Sequence, residues 1–464
     1  MITFSVFCIR KISIRINIVL IRLIELYIGC MTLKFNKLIL LFYILSFILL
    51  IVCTNCNKLN YVKSKDKFEE VHSSKLSKLD EFINHKISNN LIPGSVILVS
   101  SNNKIIHHKS YGYKNLKKKI KFKNDDIFRI ASMTKIITSI AILEMVVNEK
   151  INLNEPILNF IPEFKSLDVL DTFNPKDTTY TTIPAQKKVT LKHLLKHTAG
   201  FGYGKADNHS VFSAIYQKNK IVELFSSADI LLGDNLKKIL SLPLHHEPGE
   251  GFSYGMSTEI IAYLIEILSG KNLNDYLNEK IFTPIGMNDT YFYLPKTKSD
   301  RLVPVQTNLD GFWKIYESDF FDINYPINGS TFFSGGAGLS TTALDFYKFL
   351  NMLMNNGIYE SERIVDEKVF ELIYNYDELN SKKGFKYGLI SGIEELKYFE
   401  IDNPNVKVDK NNCNLLLYWT GYFDTQFVYD PCNKISIVVL KQLQDNEYDE
   451  LFLKELIEVV YNNL

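Results

Sequence analysis

The chain holds 464 residues, of which 46% are apolar and 23% charged, with a formal net charge of +1. That length suffices for one large or two ordinary domains with a true core, and the composition is that of a folded globular protein and excludes a disordered one. A charge this close to zero gives no basis for a nucleic-acid partner.

In chain order the first distinct element is residues 38–53 (LILLFYILSFILLIVC), almost wholly apolar, uncharged and preceded by Lys34 and Lys37. Its length falls between a signal-peptide core and a membrane span of about 17–25 residues, so it reads as a cleaved signal or a signal anchor. Its polar, unpatterned flanks disfavour a buried core helix. Upstream positive charge favours an N-inside orientation, which places the bulk of the chain on the non-cytoplasmic side, secreted or held by membrane attachment. Arg10, Lys11, Arg15 and Arg22 precede the first acid, Glu25, so the opening segment reads either as a transit-like, organellar extension or as sequence upstream of a start at Met31. Residues 1–56 are thus expected to be a targeting segment, 57–75 a polar tether, and 76–464 the main domain, with a helical insertion at roughly 150–330. Four of the six cysteines lie in the first 56 residues, which leaves Cys413 and Cys432 in the body. No CxxC pair has a partner elsewhere, so a structural zinc site is not expected.

From Leu76 onward, Leu76, Leu79, Phe82, Ile83 and Ile87 recur at helical spacing and predict an amphipathic helix ended by Asn89-Asn90. Pro93-Gly94 turn the chain into Ser95–Val99, and Asn102-Asn103 separate that run from Ile105–Tyr111, the pattern of a β-hairpin. The lysine-rich stretch Lys114–Lys123 lacks the aromatic interleaving that base stacking needs and reads as a solvated turn. Phe128–Ser132 then opens a helix, Met133–Asn148, apolar nearly all round as a central buried helix should be.

Between roughly 150 and 330, short helices mix with long polar loops and few clear strands; Leu191–Lys196 and Ile260–Leu268 are the best helices. A further helix, Ala343–Met354, stops at Asn355-Asn356-Gly357. Strand pattern returns at Leu415–Trp419, Gln426–Tyr429 and Ile435–Leu440, before a terminal helix, Glu450–Tyr461. Strands at both ends with helices between predict an α/β fold: one antiparallel sheet assembled from both termini and flanked by helices, plus a mostly helical subdomain, with a site in the cleft between.

Chemistry concentrates at Ser132-Met133-Thr134-Lys135. Residues three apart share a helix face, so the Lys135 amine can reach the Ser132 hydroxyl. The helix N-terminus favours the alkoxide and the oxyanion that follows. A serine needs such a neighbouring base before it can attack a carbonyl. Ser64 and Ser101 also have a lysine three residues on, yet only Ser132 opens an apolar helix.

Six blocks fall in one order: Phe128–Lys135 (FRIASMTK), Leu191–Gly204 (LKHLLKHTAGFGYG), Glu247–Leu268, Lys280–Thr290, Ser334–Leu353 (beginning SGGAGLST) and Trp419–Pro431 (WTGYFDTQFVYDP). Together they closely resemble the serine β-lactamase-related superfamily, with its penicillin-binding-protein-like fold, and within it the family VIII carboxylesterases and class C β-lactamases. The resemblance implies that Ser132 is the nucleophile, Lys135 the base of the S-x-x-K motif and Tyr254 the proton-shuttling tyrosine of the second motif. Trp419-Thr420-Gly421 stands where lactamases have K-T-G and family VIII esterases W-G-G. The backbone N–H groups of Ser132 and Tyr422 would form the oxyanion hole, and the reaction would be acyl transfer through an acyl-enzyme. No metal or organic cofactor is implied.

Two departures shape the expected substrate. Met256 replaces the asparagine that orients substrate in lactamases, and Trp419 replaces the lysine that would hold a β-lactam carboxylate. An anionic group gains most from a cationic donor, so esters or small amides of uncharged acyl groups fit better. Asp424 also stands where a glycine is common. The alternatives are a β-lactamase or D-amino-acid-peptide hydrolase, and a catalytically silent relative that binds a cell-wall or lipid ligand.

Four other features have plainer readings. His193 and His197 have zinc-protease spacing, but Leu194 stands where those enzymes need Glu, so His197 is expected to brace the loop Thr198–Gly204. His245-His246 read as loop packing, and the Ser334–Gly338 glycines as a tight turn beside the site, since no P-loop lysine follows. If the hairpin turns symmetrically near Tyr422-Phe423, Tyr418 lies opposite Phe427 and Cys413 opposite Cys432. Cα atoms so opposed lie about 4.5 Å apart, close enough for a disulfide, and the exported compartment would oxidise it.

Overall fold

The structure is a computed structural model, and it describes residues 76–206, 209–318, 322–374, 386–407, 415–444 and 451–464. The chain divides into two compact units, Met1–Lys67 and Phe68–Leu464. The first, with the apolar run 38–53, lies outside the described residues, as does the 57–75 segment.

The core of the second unit is an eight-stranded antiparallel sheet. Its strands in chain order are β1 (Gly94–Ser101), β2 (Lys104–Asn115), β3 (Ile120–Lys121), β4 (Lys386–Tyr387), β5 (Gly392–Glu395), β6 (Leu415–Gly421), β7 (Thr425–Asp430) and β8 (Ile435–Leu440). In space they run β4-β5-β6-β7-β8-β1-β2-β3. Both ends of the domain therefore meet in the middle, where β1 pairs with β8 from Val96↔Leu440 to Ser101↔Ile435. Asn102 and Asn103 make the β1–β2 turn with φ of 50° and 64°, the left-handed pair that a two-residue hairpin requires.

Strand alternation decides which side each apolar residue feeds. Val96, Leu98, Val438 and Leu440 pack into one core, while Ile97, Val99, Ile437 and Val439 pack into the other. The smaller core is closed by α1 (Ser77–Ser88) and the C-terminal helix (Phe452–Asn462) through Leu79, Ile83, Leu456 and Val460. The larger is closed by α2 (Thr134–Val147), the helix Ser257–Ser269 and the helix Ala343–Met354. Two buried faces explain why β1 and β8 read as continuous apolar runs.

The region from 150 to 330 is richer in strand than its sequence suggests. Asp168–Asn174 pairs with Thr179–Pro184 in a separate hairpin. Most of its residues face solvent, so it lacks the apolar alternation by which a strand is recognised, and threonine-rich β-propensity sustains it instead. Short helices at α3 (Leu191–Leu195), Ser210–Lys218 and Leu232–Ile239 follow it, joined by long loops.

Among the described residues no helix is long and apolar enough to cross a membrane.

Candidate active site

Ile130 ends the short strand Phe128–Arg129, and a tight turn at Ala131–Met133 carries Ser132 into α2. Ala131 takes φ of 41°, a left-handed conformation that costs an alanine energy and recurs at functional sites. The turn sets Ser132 at the head of the helix, 7% exposed, while Lys135 one turn on is 1% exposed. The Lys135 Nζ donates to Ser132 Oγ at 3.3 Å, to Tyr203 OH at 3.1 Å and to the Gly336 carbonyl at 2.9 Å. Three acceptors arranged this way fix the amine beside the serine hydroxyl.

Tyr254 lies in the turn ahead of the helix Ser257–Ser269, and its ring centroid is 4.6 Å from the Lys135 Nζ. Its hydroxyl accepts the indole N–H of Trp419 at 2.8 Å. Trp419 belongs to β6, whose next residues bring the third motif against the Ser132 turn. A Cβ on Gly421 would sit 2.3 Å from the Ile130 carbonyl oxygen, so glycine is required for the strand to come this close. Thr425 Oγ1, opposite Gly421 in the hairpin, also donates to that carbonyl at 3.3 Å. Tyr422 follows at the hairpin tip, where its hydroxyl accepts from Gln444 Nε2 at 3.1 Å. The fold thus gathers Ser132, Lys135, Tyr254, Trp419, Thr420, Gly421 and Tyr422 from three distant stretches of sequence.

Around the lysine lies a layer that sequence reasoning missed. Tyr203, from the loop after α3, is 2% exposed. Glu259, in the first turn of the helix Ser257–Ser269, is fully buried. It accepts Ser334 Oγ at 2.6 Å and the N–H groups of Gly335 at 2.9 Å and Gly336 at 3.1 Å. Burial pushes its carboxyl up to about 7, against the lowering pull of the Ser334 hydrogen bond, the Lys135 charge and the two glycine N–H groups. One residue therefore holds the Ser334–Gly336 turn whose Gly336 carbonyl holds Lys135. The legible signal was an acid at the start of an apolar helix, which dipole compensation alone also accounts for.

His197 takes φ of 54° beyond the end of α3 and is not on one helical face with His193. Its buried ring packs 4.7 Å from Tyr254 and accepts the Gly255 N–H at 3.4 Å. Burial, with Lys135 nearby, holds its pKa well below the usual histidine value, so it supports the second motif as a neutral ring. His193 instead caps its own helix with Thr190. No group of three or more metal-ligating side chains occurs among the described residues.

Met256, the departure within the second motif, is fully buried in the larger core. One expectation about geometry is corrected. The β6–β7 register places Trp419 opposite Phe427 and Tyr418 opposite Val428, one residue from the symmetric turn expected. The reason is a three-residue tip, Tyr422-Phe423-Asp424, closed by Asp424 N–H to the Gly421 carbonyl at 2.9 Å with Asp424 at φ 57°. Cys432 is disulfide-bonded, while Cys413 lies outside the described residues.

A family model described as Beta-lactamase matches residues 79–461. Protein Rv1367c of Mycobacterium tuberculosis is 27% identical over 288 residues, 61% of this chain and 67% of that protein. Esterase EstB of Burkholderia gladioli is 26% identical over 386 residues, 79% of this chain and 90% of its own length. Among solved structures, EstCE1, described as a hydrolase with promiscuous acyltransferase activity, superposes with a TM-score of 0.69 at 20% identity, covering 83% of this chain and 98% of that one.

Proposed function

Because this chain belongs to the Beta-lactamase family, we propose that it is a serine hydrolase working through an acyl-enzyme, with esters of small or uncharged acyl groups as its substrates. In this reading the Lys135 amine, once it has given up its own proton, takes the proton of Ser132 as Oγ attacks the acyl carbonyl, and the N–H groups of Ser132 and Tyr422 receive the oxyanion. Tyr254 relays the proton to the departing alcohol, after which water, deprotonated through the same groups, releases the acid and restores the hydroxyl.

The observation that carries the choice of substrate is the Trp419 indole N–H on the Tyr254 hydroxyl at 2.8 Å. A neutral aromatic donor, already engaged inside the site, stands where an anionic β-lactam would meet a cation, and a carboxylate there loses its charge-assisted bond. The esterase among the relatives supports the same reading. Comparing p-nitrophenyl butyrate with nitrocefin tests it: the ester should be turned over with the far higher kcat/KM, and the reverse order would overturn the substrate assignment. Absence of labelling by a fluorophosphonate probe would favour a silent ligand-binding relative.

We further place the catalytic unit on the non-cytoplasmic side of a membrane. The apolar run at 38–53 and the oxidised state of Cys432 support this. Protease accessibility of the domain in intact cells or vesicles tests it.

A further inference from the structure

The four residues after β8, Lys441 to Gln444, bond both to the strand that leads into the Ser132 turn and to the hairpin tip that carries Tyr422. On the Ser132 side, Gln442 exchanges hydrogen bonds with the backbone of Arg129: Arg129 N–H donates to Gln442 Oε1 at 3.1 Å, and Gln442 Nε2 donates to the Arg129 carbonyl at 3.0 Å. On the Tyr422 side, the Leu443 N–H donates to the Phe423 carbonyl at 3.0 Å and Gln444 Nε2 to the Tyr422 hydroxyl at 3.1 Å. Lys441 completes the set. Its Nζ lies 2.7 Å from Asp424 Oδ2, with the two side chains 2% and 13% exposed, and 3.7 Å from the centroid of the Phe452 ring.

Asp424 is the left-handed third residue of the hairpin tip, at φ 57°. Three-residue hairpins place glycine there because a side chain is strained in that conformation. This chain tolerates the strain and directs the carboxylate to a buried ammonium. Gln426 Nε2 donates to its other oxygen at 3.3 Å. A buried ion pair is a weak source of net stability, yet it is well suited to fixing one geometry.

We propose that Asp424 is a positioning residue: through the buried pair with Lys441 it locks the hairpin tip so that the Tyr422 N–H is presented to the oxyanion formed at Ser132. The inference rests on the acyl-enzyme reading given above and adds to it a clamp, Lys441–Gln444, that spaces the two oxyanion donors. An oxyanion donor acts on the transition state and little on the bound ester, so loss of the clamp lowers kcat and leaves KM nearly unchanged.

The test compares the full-length wild type with Asp424→Asn and with the double variant Asp424→Asn/Lys441→Met. Asparagine keeps the size and tolerates the left-handed backbone, and the double variant removes both charges so that neither is left buried alone. Both variants should lose about tenfold or more in kcat on p-nitrophenyl butyrate, with KM within about twofold. Affinity for an alkyl boronic acid, whose tetrahedral adduct presents an oxyanion, should fall in parallel. The double variant should regain the wild-type melting temperature without regaining kcat. Recovery of both together would mean that the pair serves stability alone and would overturn the proposal. So would wild-type kcat and boronate affinity in Asp424→Asn. Ser132→Ala, assayed alongside, separates the two layers: turnover that survives it removes the acyl-enzyme reading, whereas its loss beside a fully active Asp424→Asn removes only the clamp.

Discussion

Replacing Glu259 by glutamine should change how stability depends on pH, and the geometry sets both sign and size. The carboxylate is fully buried and accepts three hydrogen bonds, one from Ser334 and two from glycine N–H groups. Its pKa stands at about 7 in the folded protein against an ordinary value of 4.5. Between those two values the folded state binds more protons than the unfolded one, so this group's contribution falls as pH rises through the window. Its full span is about 3 kcal/mol, the folded protein being favoured at the acid end. Glutamine does not titrate and has no such slope. It does lose an acceptor: whichever way the amide turns, its NH2 meets at least one of the donors now satisfied, at a cost of about 1–3 kcal/mol. Glu259→Gln should therefore be clearly less stable than the wild type near pH 5, and the gap should close or reverse by pH 8. Asp345, itself pushed up to about 6 by burial, occurs in both proteins and to first order cancels in the difference. The Lys135 charge, which pulls the Glu259 pKa down, acts on a carboxylate that only the wild type has and so belongs to the difference. Urea unfolding of both proteins at intervals from pH 5 to pH 8 measures it. A gap that stays constant across the window would refute the buried-carboxylate argument.

Ser132→Ala should abolish turnover of p-nitrophenyl butyrate, and Lys135→Ala should cost a similar factor, roughly three orders of magnitude or more, because the two act as a unit; Tyr254→Phe, which only removes a relay, should retain more. Covalent fluorophosphonate labelling that survives Ser132→Ala would sink the nucleophile assignment. Trp419→Phe keeps the ring but deletes the indole donor to Tyr254, and a loss of about 1 kcal/mol in kcat/KM, roughly fivefold, should follow; an unchanged pH–rate profile and rate would show that the hydrogen bond does nothing for the reaction. Met256→Ala empties a fully buried site and should destabilise the fold by about 2–5 kcal/mol, read as a lower urea midpoint; an unaffected midpoint would contradict its place in the core. Cys413 is proposed as the partner of Cys432, a short loop whose closure contributes about 3 kcal/mol in the chain-entropy model. Non-reducing alkylation and intact mass should find neither thiol free in the folded protein, and two free thiols would remove the pairing.

Elements with a strong period were legible without any structure. The helix Ala343–Met354 and the strand Ile435–Leu440 fall where their apolar patterns place them, and the Asn102-Asn103 pair announces its hairpin turn by chemistry alone. The family was legible as well, since six short blocks in fixed order carry it and the match runs over residues 79–461. Local spacing sufficed for Ser132 and Lys135, which lie on one helical turn and meet at 3.3 Å. The layer behind them was not legible. Tyr203 and Glu259 are 68 and 124 residues from Lys135, and nothing in their own neighbourhoods marks them as its surroundings. The same holds for the pairing of Asp424 with Lys441, and for the one-residue register shift at the tip that makes Asp424 a left-handed residue. Periodicity and short motifs record what a residue meets within a turn or two of its own chain. Desolvation, hydrogen-bond partners and strand register are fixed only when separate segments pack together, because each depends on atoms that the sequence leaves far apart.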